Sequence, residues 1–331
     1  MSRRLCADIF LALSLLLAAE LVVRLLLPHD VAGRFSYGYD QEAGFVESGD
    51  LVELVRAGGR RFHPQTFSRQ PRPDTLRIMV VGDSVPRGPS LQAAYPAQLQ
   101  GLLADQGVRA EVINLAVPGY GARRSQLVVQ KILSYEPDLI ILHLNDSNEY
   151  EDEREYRRSR EFQGWHPRHW LMKSFILARA YEIKTEKLQW RLLPEAIRRQ
   201  RLLNDADAEL QAALDEEQQR LWRERFWQTT RQTVAMIREQ GIPVLLVIQA
   251  ALQSEAGGSA RLDDHGLDAW GRSLQGPGVG AVSMAEVFSS QAAGQQYFVD
   301  SSHLSGAGHR VLAAALARVI LEMGVWRPNK E

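Results

Sequence analysis

Gly82-Asp83-Ser84 closes the apolar run Leu76 to Val81, and Asp300 and His303 stand three apart shortly before the last helical pattern. Together these residue types suit acyl chemistry. A serine hydroxyl becomes a useful nucleophile once an imidazole takes its proton, and a carboxylate must hold that imidazole in the right tautomer. A lone serine after a strand is most often a turn residue, so the weight falls on its company. Asn114-Leu-Ala-Val-Pro-Gly119 ends a second apolar run in a turn whose glycine lets a backbone N–H approach a ligand closely. His143-Leu-Asn-Asp146 ends a third, where the Asn145 amide can donate to an oxyanion.

The elements that must position these residues follow from pattern. Apolar runs at Leu76–Val81, Val108–Leu115, Leu139–Leu144, Val244–Ile248 and, more weakly, Val279–Val282 predict strands. Helical patterns lie between the first three, at Tyr95–Gln106, with Leu99, Leu102 and Leu103 on one face, and at Ser125–Ser134. Short continuous apolar strands alternating with helices predict a parallel sheet covered on both faces. Sites in such sheets lie at the carboxyl ends of the strands, where Ser84, Gly119 and Asn145 fall. Ser305 is placed to cap the last helix and Gly324 to end it.

In this combination and order the residues resemble the SGNH hydrolases, the GDSL esterase/lipase superfamily. Its members carry a GDS serine, a glycine after the second strand, an asparagine in a GxND motif and a DxxH pair before the last helix. The matching positions are Ser84, Gly119, Asn145, and Asp300 with His303, and Tyr95-Pro96 also follows the family pattern. The resemblance covers about residues 76 to 323. It implies a three-layer α/β/α, flavodoxin-like fold with a mostly parallel five-stranded sheet. It also implies that Ser84 attacks an ester carbonyl, that His303 takes its proton and that Asp300 orients the imidazole. The Ser84 and Gly119 N–H groups and the Asn145 side chain would form the oxyanion hole, each donor contributing ~3 kcal/mol in the transition state. Asp83, Asp146 and His143 would support these groups from behind, Asp146 by stabilising the loop that presents Asn145. Neither a metal nor a cofactor is required.

The chain departs from the pattern at His143, which stands where the motif has glycine; either the backbone differs there, or the imidazole packs behind the site or lines it. Pro86 follows the nucleophile closely and can stiffen its loop, and the fourth strand ends in Ile248-Gln-Ala-Ala with no obvious functional motif.

The 331 residues are 45% hydrophobic and 24% charged with a formal net charge of −1, which is globular and gives no basic bias toward nucleic acid. The one cysteine, Cys6, leaves the body without an internal disulfide and does not decide the compartment. Arg3-Arg4 precede Leu5 to Leu27, an apolar stretch interrupted by Asp8, Glu20 and Arg24. About 20 apolar residues cross a bilayer, and flanking arginines stay in the cytoplasm, so residues 1–28 read as a transmembrane anchor with the body in the periplasm. A cleaved signal peptide with Ala18-Ala19 near the cut is the rival, and an amphipathic helix packed on the body is the third reading.

Residues 29–75, ending Gln70-Pro-Arg-Pro73, read as an irregular linker, and 76–326 as the hydrolase domain with a helical insertion at 150–240. The insertion is either a set of solvated helices or a lid or sugar platform. Trp165, Trp170, Trp190, Trp222 and Trp227 suit the second reading, although Trp222 and Phe226 are spaced like core residues. The mixed charge run Glu149 to Arg160 reads as a solvated helix. His166 and His169 read as an exposed loop rather than a metal pair, and Gly257-Gly258 and Gly276-Pro-Gly278 as turns.

Three functions fit this reading. The first is an esterase acting on acyl esters, acetyl esters above all, of a cell-envelope polysaccharide. The second is an O-acyltransferase using the same triad on such a glycan. The third is a glycan-binding protein without activity.

Overall fold

The computed structural model describes residues 3–26, 36–161, 174, 176, 216–254, 260–289 and 294–326. They fall into two compact units, one formed by 1–43, 57–59 and 155–221, the other by 44–56, 60–154 and 222–331. The first contains helix α1 (Arg3–Leu26), whose Phe10, Leu11, Leu15, Leu16, Leu17 and Leu25 are all more than half exposed. Its Glu20 carboxylate accepts hydrogen bonds from Ser174 Oγ and the Ile176 N–H at 2.8 and 3.1 Å. Among the described residues no helix is long and apolar enough to cross a membrane.

The second unit begins with β1 (Phe45–Ser48), β2 (Leu51–Ala57) and β3 (Arg60–Ser68), a three-stranded sheet in which β1 and β2 run antiparallel. This corrects the linker reading of 29–75. The alternation that marks a half-buried strand is present in β2, with Val52 and Leu54 buried, and at the start of β3, with Arg60 and Phe62 buried, but charged residues in the pattern mask it. Arg77 ties the end of this sheet to the body. Its guanidinium is fully buried and donates to Glu111 Oε2 and to the carbonyls of Arg69, Tyr135, Ser68 and Gln70, so every N–H of its fork has an acceptor.

The body then alternates: β4 (Leu76–Val81), α2 (Ser84–Arg87), α3 (Tyr95–Asp105), β5 (Ala110–Asn114), α4 (Ala122–Ile132), β6 (Leu139–Leu144), α5 (Glu149–Glu161), α6 (Glu216–Glu239) and β7 (Val244–Ile248). A short antiparallel pair follows, β8 (Ala251–Ser254) with β9 (Ala260–Asp263), then α7 (Leu267–Arg272), β10 (Val279–Ser283), α8 (Met284–Ser289) and α9 (Gly306–Glu322). The five strands foreseen from their apolar runs form one parallel sheet in the order β10-β7-β6-β4-β5. Renumbered within the sheet this is 5-4-3-1-2, the doubly wound order whose switch point lies between β4 and β6.

Strand period divides the core into two layers. Met79, Val81, Ile140, Leu142, Leu144, Leu246 and Ile248 pack with Val128 and Ile132 of α4 and Ile237 of α6. Ile78, Val80, Ile141, Leu245 and Val247 face the other way, onto Leu99 and Leu103 of α3 and Leu312 and Leu316 of α9. Ser305 caps α9 by accepting from the Gly308 N–H, and Gly324 ends that segment at φ +60°.

Two helical expectations change. The charge run of α5 is not solvated at its start, because Glu149 and Asp152 are buried. Trp222 packs on Tyr150 with ring centroids 5.4 Å apart, and Trp227 stacks on Trp270 at 5.6 Å, so both are packing residues rather than a sugar platform. Trp165, Trp170, Trp190, His166, His169, Gly257, Gly258 and most of the insertion lie outside the described residues, as do the side chains of Cys6 and Arg24. Gly276 and Gly278 form the turn into β10.

Candidate active site

β4 delivers the Gly82-Asp83-Ser84 turn to the carboxyl edge of the sheet at the switch point. A Cβ on Gly82 would lie 2.7 Å from both His143 Cβ and Pro86 Cγ, so only glycine lets the chain turn there. Asp83 caps α2 by accepting from the Val85 N–H at 3.0 Å, which puts Ser84 at the first position of the helix. Asn114, at the end of β5, braces the same turn by donating from Nδ2 to the Pro86 carbonyl at 2.8 Å.

The loop before α9 brings His303. His303 Nε2 lies 2.8 Å from Ser84 Oγ, and His303 Nδ1 lies 2.8 Å from Asp300 Oδ2. A carboxylate only accepts, so Nδ1 carries the proton and Nε2 has the lone pair that faces the serine hydroxyl. Asp300 Oδ1 accepts from the backbone N–H groups of His303 and Ser302 at 2.7 and 2.9 Å. Partial burial by itself would raise the Asp300 pKa, but these two N–H bonds and the imidazole outweigh it and hold the carboxyl at about 2.

Asn145 follows β6. Its Oδ1 accepts from Ser147 N and Oγ at 3.1 and 2.7 Å, and its Nδ2 donates to Asp83 Oδ2 at 2.6 Å. The amide is thereby fixed in orientation with one N–H engaged and the second left for a ligand oxygen. Asn148 Nδ2 donates to the same Asp83 oxygen at 2.6 Å, so one buried carboxylate gathers the helix that begins with Ser84 and both asparagines.

Gly119 sits in the turn after β5 at φ +73°, where a side chain would be strained. Three buried side chains hold that turn. Arg124 donates to the Gly119 carbonyl, Asp152 Oδ1 accepts from the Gly121 N–H at 3.3 Å and Glu149 Oε1 accepts from the Ala122 N–H at 2.7 Å. Arg124 also pairs with Asp152 at 2.5 Å. Burial, reinforced by the neighbouring Asp152 carboxylate, pushes the Glu149 pKa up to about 8.

Ser84, His303 and Asp300 thus meet, and Asp83 and Asn145 join them. Asp146 does not brace the Asn145 loop as expected. Its carboxylate turns to Arg223 at 3.4 Å, while Asp83 and Ser147 do the bracing, and burial raises its pKa. His143 lies on the opposite face of β6 from Leu142 and Leu144, buried beside Tyr95, and burial depresses its pKa. Sequence reasoning missed Asn148, Arg124, Asp152, Glu149 and Gln249. Asn148 could have been found, since a position three beyond Asn145 in a tight helical turn shares its face. The hollows of about 890 and 600 Å³ around Arg72–Thr75 lie at the amino ends of the strands, away from this chemistry.

The family model of the GDSL-like Lipase/Acylhydrolase family matches residues 80–311. Comparison with curated protein sequences gives no significant match. Among solved structures, the chain is similar to the acetyl xylan esterase AlAXEase, with 14% identity over 74% of this chain and 99% of that one and a TM-score of 0.45. It is similar to a catalytic mutant of Axe2, an acetylxylan esterase from Geobacillus stearothermophilus, with 14% identity over 76% and 97% of the chains and a TM-score of 0.45. TesA is similar at 14% identity over 75% and 99%, with a TM-score of 0.42.

Proposed function

The chain belongs to the GDSL-like lipase/acylhydrolase family of ester-hydrolysing enzymes, and from that premise we propose that it cleaves short acyl esters, acetyl above all, carried on a cell-envelope glycan. Ser84 Oγ attacks the ester carbonyl as its proton passes to His303 Nε2. The tetrahedral oxyanion is held by the Ser84 and Gly119 N–H groups and the second N–H of Asn145. Collapse expels the alcohol, which takes the proton from His303, and leaves an acyl group on Ser84. Water, deprotonated by the same imidazole, then releases the carboxylic acid. Asp300 stays ionised throughout and stabilises the imidazolium.

The observation that carries this reading is the pair of 2.8 Å contacts linking Ser84, His303 and Asp300. One feature supports the substrate class: His303 and Asp300 keep 43% and 53% of their side chains exposed, which admits an ester on a bulky alcohol such as a polymer.

The location reading is supported by α1, whose leucines are exposed to an extent that suits lipid better than water. At 1.5 Å per residue its 24 residues extend ~36 Å, beside a bilayer core of ~30 Å. Its charges lie toward its ends, where side chains can reach the interface. We assign it as an inner-membrane tether with the catalytic unit in the periplasm. The test uses the full chain extracted in mild detergent, assayed on acetylated oligosaccharides and on p-nitrophenyl esters of increasing length. Acetate release that falls steeply beyond acetyl supports the reading. Preference for long acyl chains would overturn the substrate class, and acetyl appearing on an added sugar acceptor instead of in water would make the enzyme an O-acyltransferase. Recovery of the protein in the soluble fraction after lysis without detergent would overturn the tether.

A further inference from the structure

Directly after β7 comes Gln249, a polar residue following five fully buried apolar ones, on the edge of the sheet that carries the site. Its side chain is buried and every polar atom of it is used. Nε2 donates to the carbonyls of Ala250 and Ser302, both at 3.0 Å, and Oε1 faces His143 Nε2 at 2.7 Å. Two carbonyl acceptors fix which end of the amide is nitrogen. The carbonyl oxygen that remains can only accept, so His143 carries its proton on Nε2. His143 Nδ1 is then the acceptor that faces the Tyr95 hydroxyl, 3.5 Å away. Burial favours the neutral form of this imidazole, which agrees with the assignment. Tyr95 in turn gives its backbone N–H to His309 Nδ1 at 3.3 Å, and His309 lies in the first turn of α9, just beyond the Asp300–His303 loop.

The bonds therefore run in one direction, from the Tyr95 hydroxyl to His143, from His143 to Gln249, and from Gln249 to the carbonyl of Ser302. The end of that chain is the residue next to the catalytic base. We propose that Gln249, held by His143 and Tyr95, is a positioning residue that sets the reach of His303 toward Ser84. Among the described residues, the 301–303 segment is otherwise tied to this side of the sheet by one backbone bond, Leu252 N–H to the Ser301 carbonyl at 2.6 Å. The Ser302–His303 peptide is held within its own loop by the His303 N–H on Asp300 Oδ1 at 2.7 Å, and the Gln249 grip on its carbonyl at 3.0 Å fixes that plane, with the direction of the His303 Cα–Cβ bond, relative to the sheet edge. A tilt of that plane lengthens the 2.8 Å contact on Ser84 even if Asp300 stays bonded. This also explains why histidine stands at position 143, where the related motif has glycine: glycine there would leave Gln249 Oε1 buried with no donor, at the cost of an unmet hydrogen bond.

The inference rests on the reading of Ser84 and His303 as nucleophile and base, so the test carries Ser84→Ala as a control. Gln249→Met keeps the length and shape of the side chain and removes its hydrogen bonds. In the full chain, with p-nitrophenyl acetate, we expect kcat to fall about 10- to 100-fold with KM within twofold. We also expect the acid limb of the kcat/KM profile to move, because the imidazole no longer meets Asp300 and Ser84 together. Tyr95→Phe removes one hydroxyl from the far end of the chain and should lower kcat about two- to fivefold. The double variant should be no worse than Gln249→Met alone. Wild-type kcat in a folded Gln249→Met, or losses that multiply in the double variant, would overturn the proposal. Should Gln249→Met not fold, Tyr95→Phe still decides: an unchanged kcat and pH profile there would also overturn it. If Ser84→Ala remained active, the function reading itself would fail, and that result is distinct from all of these.

Discussion

His303 Nε2 and Ser84 Oγ lie 2.8 Å apart although 219 residues separate them in the chain. The contact exists because β4 and the loop before α9 both end at the carboxyl edge of the parallel sheet. Asp300 acts on the same imidazole from the other side, with both of its oxygens committed to the His303 turn.

That commitment has a pH consequence. Asp300 is held at about 2, below the ordinary carboxylate range, so its stabilising contribution is complete above the unfolded value near 4 and is lost as pH falls toward 2. Within the working range the carboxylate does not titrate, and the acid limb of the rate profile should show one protonation only. Asp300→Asn should lower kcat about 10²- to 10⁴-fold while KM changes little, because the amide permits the wrong imidazole tautomer. A pH–rate profile of both proteins checks this, and a second acid limb in the wild type would contradict it.

Asp83 joins the Asn145 amide to the helix that begins with Ser84. Asn145→Ala should cost about 10²- to 10³-fold in kcat by removing an oxyanion donor. Asn148→Ala, which removes one amide from Asp83, should cost less than tenfold, since Asp83 keeps its bonds from Val85 N–H and Asn145. Asp83→Ala should lower kcat and Tm together, because it removes a cap and leaves two amides without their acceptor. Kinetics alongside thermal unfolding separate the three.

Glu149 sets an opposite pH dependence. Its carboxyl is raised to about 8 by burial and by Asp152, with Arg123 and Arg225 opposing, while the unfolded value is near 4.5. Between those values the unfolded chain has released a proton that the folded one retains, so stability falls as pH rises through that window, by up to about 1.4 kcal/mol per pH unit. Glu149→Gln should flatten the decline. Urea titrations at pH 5, 6, 7 and 8 measure it, and the same slope in both proteins would rule Glu149 out as the source.

Gly119 at φ +73° has no cheap substitute. Alanine there carries about 1–2 kcal/mol of backbone strain, and its Cβ would sit 2.6 Å from the Glu151 carboxylate. Since that carboxylate is the end of a flexible side chain, the strain and not the contact should dominate. Gly119→Ala should lower kcat at least tenfold, and adding Glu151→Ala should recover little of it. Full recovery in the double variant would mean that crowding was the cause.

The strands, the two covering layers and the meeting of Ser84, His303 and Asp300 were legible because each rests on a local pattern, namely unbroken apolar runs or motifs at their ends. The small sheet β1–β3 was not, since its alternation runs through Arg60, Arg61, His63 and Gln65. Gln65 there substitutes for a missing strand by bonding both the N–H and the carbonyl of Asn114, a pairing across 49 residues with no local signature. Buried charge was equally hidden. Nothing in the sequence distinguishes Glu149 and Asp152, which close on the Gly119 turn, from the exposed charges beside them. Gln249 stood in view at a strand end, and only its partners on two other segments give it meaning.

The central claim is that Ser84 carries the acyl group. The most direct test mixes the full chain with p-nitrophenyl acetate, quenches in acid within the first turnovers and maps the peptides by mass. The account predicts one acetyl group on the peptide bearing Ser84, absent in Ser84→Ala and much reduced in His303→Ala. An active enzyme that leaves Ser84 unmodified at every time point, with the label on another side chain or nowhere while Ser84→Ala still turns over, would contradict it.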